Sequence, residues 1–259
     1  MAERLSNHRT ESVGITRKTL RLWGVILSIL GVLSRGILQN RVLGVATGTG
    51  EDLLRVLDMS GGMSAAAVSL ALEAVSSCAV PIFAVLLTEG FTKTKSVKNY
   101  FLRLLGAAAV SEIPYHLALT ATVWGKTRNP VFSLVLALVM LYFYRTYSGL
   151  SAKNVLIKVF IFCAAILWSL MLRVEYGVPM LLIVTTLWIL WNRPALRYFL
   201  AAAVAVCCCV GNPLFMFSPF GFLIVGMYKG EEGFSLRPVR YALYPFLLLM
   251  VALLGWMMF

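Results

Sequence analysis

From Leu22 to the C-terminus, long apolar runs alternate with short polar stretches that are mostly basic. A helix needs about 20 apolar residues to cross the hydrocarbon core of a bilayer, and on that measure the chain predicts about nine spans, within a range of about eight to ten. They fall at 22–40, 64–89, 100–120, 130–147, 155–172, 177–191, 196–211, 213–228 and 241–259. The runs 196–211 and 213–228 are short and divided only by Gly211-Asn212-Pro213. Proline and glycine there permit either a tight hairpin or one broken helix. The expected fold is all-α, a polytopic transmembrane helix bundle. It has two parts, a basic tail over 1–21 and a transmembrane domain over 22–259. No internal repeat is visible, so the inverted-repeat pattern of many transporters is absent.

The distribution of charge orients the bundle. Arg4, Arg9, Arg17, Lys18 and Arg21 precede the first span, and Lys93, Lys95, Lys98 and Arg103 fill the loop after the second. Arg145, Lys153, Lys158, Arg193, Arg197, Lys229, Arg237 and Arg240 follow on the same side. The other side holds only Arg41, Arg55, Lys126, Arg128 and Arg173. Cytoplasmic loops carry the excess of lysine and arginine, so the N-terminus is expected in the cytoplasm and Phe259 outside. The tail and the apolar run from Leu22 could open a secretory signal, but no small-residue cleavage site follows, and an uncleaved first helix is expected. The loop from Asn40 to Met63 is acidic and rich in glycine, which predicts a flexible loop or lid.

Composition agrees with a membrane protein. Hydrophobic residues make up 60% of the chain and charged residues 13%, against about 25% charged in a soluble domain. The net charge of +12 is spread over short loops, where topology and lipid headgroups explain it better than nucleic acid does. The five cysteines show neither a CxxC pair nor zinc spacing, so no disulfide framework and no metal site is expected.

Against this apolar background the polar residues inside the spans stand out, because ionisable groups at that depth usually face a protein interior or a water-filled cavity. Glu112 and His116 lie four residues apart on one helical face with Pro114 between them. That pair fits proton transfer, or a histidine hydrogen-bonded to a neighbouring helix with no catalytic role. Glu73 sits in the second span and Arg35 late in the first, so an Arg35–Glu73 ion pair is expected. Lys93, Lys95, Lys98 and Arg103 read either as a topogenic loop or as a landing place for the phosphates of an anionic cofactor. Arg173 and Glu175, in Arg173-Val174-Glu175-Tyr176-Gly177, could meet in an extended turn but not on a helix.

Several strings carry a resemblance. Val80-Pro81-Ile82-Phe83, Leu87-Thr88-Glu89-Gly90-Phe91, Lys98-Asn99-Tyr100-Phe101-Leu102-Arg103 and Ser111-Glu112-Ile113-Pro114-Tyr115 resemble the core of the TraX family. Asn129-Pro130-Val131-Phe132, Glu175-Tyr176-Gly177 and Tyr244-Pro245 follow it collinearly. The resemblance implies a multi-pass protein of the bacterial inner membrane, similar to the conjugal-transfer pilin acetylases and to the wider transmembrane acyltransferases. It implies acetyl-CoA or another acyl-CoA as donor, with its phosphates on Lys93, Lys95, Lys98 and Arg103. It implies a pilin-like or cell-surface acceptor with an amine or hydroxyl, and Arg35 as a holder of the oxyanion. The family's first-span Asp-His pair is replaced here by Gly31-Val32-Leu33-Ser34-Arg35-Gly36, and the histidine after Tyr244-Pro245 is missing. A general base would then be His116, Glu112 or Glu73. The alternative expectation is a non-catalytic scaffold or small-solute permease on the same helices.

Overall fold

The computed structural model of the protein describes residues 15–45, 63–149, 151–228 and 239–258. They form α1 (Arg17–Leu33), a π-helical continuation (Ser34–Val42), α2 (Met63–Ser77), α3 (Ala79–Lys93), α4 (Val97–Thr120) and α5 (Val131–Thr146). The second half holds α6 (Ala152–Met171), α7 (Gly177–Ile189), α8 (Pro194–Cys207), α9 (Phe220–Gly226) and α10 (Val239–Met258). Short 3-10 turns over Cys208–Val210 and Pro213–Phe217 lie between α8 and α9. No β-ladder forms among the described residues. Two isolated bridges, Ile15 with Tyr228 and Arg128 with Val174, tie loops together. The Gly48/Gly50 and Gly61/Gly62 clusters of the expected lid lie outside the described residues.

Local chemistry explains the helix ends. Thr16, Ser96 and Ser151 each accept a bond from the backbone amide three residues on, at 3.3, 3.3 and 3.4 Å, as N-capping requires. Thr16 lets α1 begin at Arg17, inside the stretch expected to be tail. α2 and α3 form one 30-residue apolar rod, Ser64–Lys93, interrupted at Cys78. Pro81, in the first turn of α3, has no amide to offer Ser77, so the ladder lapses there.

Three helices are long and apolar enough to cross a membrane: Arg17–Val42, Ser64–Lys93 and Ala152–Met171. By length and composition these are the candidate membrane spans among the described residues, fewer than the nine expected. The stretches expected at 130–147, 177–191, 196–211 and 213–228 appear as shorter apolar helices, and 241–259 falls on the 20-residue α10. α5, with 16 residues, spans about 24 Å at 1.5 Å per residue, short of the roughly 30 Å hydrocarbon core. α4 has 24 residues but carries too many polar groups to qualify. Hydropathy reads where apolar residues are; it does not read where the helix hydrogen bonds stop.

The core forms around α3 and α7. α3 buries most of its length, from Ala79 to Leu87 apart from Phe83, together with Thr88 and Phe91. α7 buries Met180, Leu181, Ile183, Val184 and Leu187 and packs on α3, α5, α6 and α8. α6 is peripheral, with Ser169 its one buried residue and Leu156, Phe160 and Met171 largely exposed, as a lipid-facing helix would be. The 196–228 region is a hairpin, with Gly211-Asn212 as its tip. Asn212 caps the following 3-10 turn through Leu214 N at 3.0 Å and donates from Nδ2 to Glu73 Oε1 at 3.4 Å. α10 packs along α4 and touches α1, which brings Tyr244 to the same end of the bundle interior as Arg35.

Candidate functional site

The lining of the main cavity is written in helical spacing. Arg17, Arg21, Val25, Ser28, Val32 and Arg35 lie on one stripe of the first helix, at steps of three and four. Ser76, Ala79, Val80, Phe83, Leu87, Gly90 and Lys93 form a second stripe, and Asn99, Tyr100, Arg103 and Ala107 on α4, with its cap Ser96, a third. Between them lies a cavity of about 720 Å³.

Its two ends differ in chemistry. One is basic, with Arg17, Arg21, Lys93, Lys95 and Arg103, and no carboxylate is among the described residues that line the cavity. The middle is aliphatic and aromatic, through Val25, Val32, Val80, Phe83 and Leu87. The far end holds Arg35, Ser76, Tyr176 and Tyr244. Along α1 the 1.5 Å rise puts Arg35 about 21 Å from Arg21.

Arg35 pairs with Glu175, not with the expected Glu73. The side chains of Arg35 and Glu175 are 17% and 11% exposed, so both charges are largely withdrawn from solvent and a bonded partner is needed to hold them there. Tyr115 donates its hydroxyl to the second oxygen of Glu175, and Arg35 Nε also donates to Gly31 O at 3.4 Å. Glu73 instead accepts from Gln39 Nε2 at 3.0 Å and from Asn212 Nδ2. Two amides satisfy it, and it lies off the cavity lining.

The turn that presents Glu175 is strained. Arg173 and Tyr176 have φ of 49° and 54°, a left-handed geometry unfavourable for residues with a Cβ. The compensation comes from Val174 N to Ser169 O at 2.9 Å and Gly177 N to Val174 O at 3.1 Å. Gly177 is needed because a Cβ there would meet Ser169 at 2.8 Å. Tyr176 is further held by stacking on Phe215, with ring centroids 5.9 Å apart.

Glu112 and His116 do come together, but as a buried clamp. They are 6% and 1% exposed, and neither lines the cavity. Glu112 accepts from His116 Nε2 at 3.2 Å, Arg128 Nη1 at 3.0 Å and the Asn129 amide at 3.1 Å. A Cβ on Gly125 would strike the His116 ring, so the 121–127 loop lies directly on the imidazole. The clamp reaches the cavity through the backbone. Arg128 N donates to Arg173 O at 3.0 Å and Glu175 N donates to Arg128 O at 3.1 Å.

Among the basic loop residues, Lys93, Lys95 and Arg103 line the cavity, while Lys98 is exposed outside it. Glu89, at the same end, accepts from Tyr228 Oη at 2.9 Å. Sequence reasoning missed Glu175, Tyr115 and Tyr244 as site residues. All three sat in strings that carried the family resemblance, Ser111-Glu112-Ile113-Pro114-Tyr115, Glu175-Tyr176-Gly177 and Tyr244-Pro245. The stripe from Arg17 to Arg35 was also legible in its spacing.

The profile of the TraX protein family matches residues 54–255, which takes in α2 to α10 and every element of this site except α1 and its π-helical end. The chain belongs to the TraX family. None of the curated proteins and none of the solved structures matches it. Within this TraX family member, the matched segment supplies the Glu175 turn, the Glu112 clamp, the Lys93–Arg103 loop and Tyr244. The N-terminal helix, outside the match, supplies Arg35 and one wall of the cavity.

Proposed function

We propose that this TraX family member is a multi-pass inner-membrane acyltransferase that uses acyl-CoA, with acetyl as the smallest acyl group, and an amine of a pilin-like or cell-surface acceptor. The observation that carries this reading is one cavity with cations at one end and Arg35 at the other. A donor with a polyanionic head and a long neutral arm suits both ends at once. Lys93, Lys95 and Arg103 would take the phosphates by charge-assisted hydrogen bonds, the aliphatic middle would take the pantetheine arm, and the thioester would lie at Arg35.

The orientation follows from the positive-inside rule. Arg17, Arg21 and the Lys93–Arg103 loop share one end, and the Ile15–Tyr228 bridge puts the foot of the hairpin there too. We place that end in the cytoplasm, where acyl-CoA is made.

His116, Glu112 and Glu73 all lie off the cavity lining, which bears on the acceptor. An amine that arrives neutral needs no protein base: after attack, its proton can pass to the departing thiolate. A hydroxyl would need a base to raise its nucleophilicity. The reading therefore favours an amine, with Arg35 stabilising charge that develops on the carbonyl oxygen. Glu112 and His116 act through the loop they hold.

The test is calorimetric titration of the detergent-solubilised protein with acetyl-CoA. Binding that weakens in Lys93→Ala/Arg103→Ala and survives in His116→Ala supports the reading. Absence of binding to acetyl-CoA and to longer acyl-CoAs defeats it and leaves the second reading, a scaffold or small-solute permease on the same helices.

A further inference from the structure

Three elements converge at Gly90, in the last turn of α3. A Cβ built there would stand 3.0 Å from Tyr100 Oη on α4 and 3.4 Å from Arg17 Nη2 on α1. Those two distances end to end keep the hydroxyl and the guanidinium nitrogen within 6.4 Å of each other. Arg17, Gly90 and Tyr100 all line the cavity and are all half-buried, so this niche belongs to the cavity wall and is not sealed in the core.

The packing of α1 on the long rod fixes the depth of that point. A Cβ on Gly24 would meet Phe83 at 3.1 Å, and one on Gly31 would meet Ser76. Seven residues forward in α1 match seven back along the rod, and the same step in the other direction brings Arg17 level with Gly90. At the far end Arg35 Nη2 lies 4.0 Å from a Cβ on Gly31. From Arg17 to Gly31 is fourteen residues, a rise of about 21 Å. In an acyl-CoA, fourteen bonds run from the inner phosphorus to the acyl carbon, about 18 Å when extended at roughly 1.27 Å per bond. With the acyl group within hydrogen-bonding reach of Arg35, the inner phosphate arrives at Gly90. The 3′-phosphate hangs from the ribose beyond the pyrophosphate and arrives further out, where Lys93 and Lys95 stand.

A phosphate that accepts on two of its oxygens at about 2.8 Å each can bridge donors held that close. The guanidinium supplies charge, the phenol a donor without a further charge to hold, and the glycine keeps the space open. Resting on the acyl-transfer reading, we propose that Arg17 and Tyr100 clamp the pyrophosphate of the acyl-CoA donor over Gly90. Arg103, one turn further along α4, adds charge from the inner side, and Lys93 and Lys95 meet the 3′-phosphate at the mouth. The donor site then includes α1, which lies outside the family match, and different residues read the two phosphate groups.

The test is calorimetric titration of the full-length, detergent-solubilised protein with CoA and with 3′-dephospho-CoA, which keeps the pyrophosphate. Tyr100→Phe and Arg17→Gln should each raise the Kd for both ligands by about tenfold, the loss of one hydrogen bond to a charged group. Gly90→Ala removes no donor and no charge, yet it should weaken both ligands several-fold because its Cβ takes the place of the phosphate. Lys95→Ala should weaken CoA and spare 3′-dephospho-CoA. Cooperative thermal unfolding of each variant certifies that it is folded. Unchanged affinity in Gly90→Ala and Tyr100→Phe, or a loss in them confined to CoA, overturns the clamp and leaves the donor-site reading standing. Failure of the wild-type protein to bind CoA takes down both.

Discussion

Arg35, at the start of the π-helical end of the first helix, is neutralised by Glu175 from the strained turn before α7. The pair links two elements far apart in the chain at the end of the cavity opposite its cations. Glu73, one helix away from Arg35 and the nearer carboxylate in sequence, spends its oxygens on Gln39 and Asn212.

Removing one member of that pair should cost more than removing both. Glu175→Gln leaves a buried guanidinium uncompensated and should destabilise the protein by about 3–5 kcal/mol. The double variant Arg35→Met/Glu175→Gln should recover a substantial part of the loss. Thermal unfolding of the three proteins in one detergent checks this. A single variant as stable as wild type would mean that the ion pair is not made.

The Glu112 clamp should transmit to Glu175. Glu112→Ala strips the Asn129 amide of its acceptor and should cost about 1–3 kcal/mol. Arg128→Ala removes a half-exposed partner (39% exposed) and should cost under about 1 kcal/mol. Hydrogen exchange supplies the specific readout: in Glu112→Ala the Asn129 and Glu175 amides should exchange faster together, because Glu175 N bonds to Arg128 O. Acceleration at Asn129 alone would show that the clamp stops at the loop.

Two glycines should respond with opposite signs to the same change. A Cβ on Gly36 would run into the backbone carbonyl of Ala118, which cannot move without shifting α4. Gly36→Ala should cost about 1–3 kcal/mol. Gly106 has nothing within 4 Å of an added Cβ and sits inside α4, so Gly106→Ala should stabilise by about 0.5–1 kcal/mol. Paired melting curves decide it, and equal effects would contradict the close approach of the first helix to α4.

The basic end should give acyl-CoA binding a dependence on salt. Lys93→Ala/Arg103→Ala should raise the Kd for acetyl-CoA by about tenfold, or about 1.4 kcal/mol, and lessen its loss with added salt. Lys98→Ala, outside the cavity, should leave the Kd nearly unchanged. A Lys98 effect equal to that of the pair would point to a diffuse field and away from a built site.

The sequence by itself determined the helical class, the apolar character of the long rods, the clustering of cations at the ends of the early helices, and the family strings. Each of these depends on residues close in the chain. The depth of Arg35, Glu73, Glu112 and His116 among apolar residues marked them as exceptional. Tertiary structure decided which of those groups face the cavity and which carboxylate meets Arg35. It turned Glu112 and His116 into a clamp, seated Asn212 on Glu73 and brought Tyr244 to the end of the cavity. It also left several apolar runs as helices too short for a full crossing. The physical reason is the same in each case. Hydropathy and periodicity are local sums, while a charge buried among apolar residues takes its partner from whichever helix or turn packing brings within hydrogen-bonding distance.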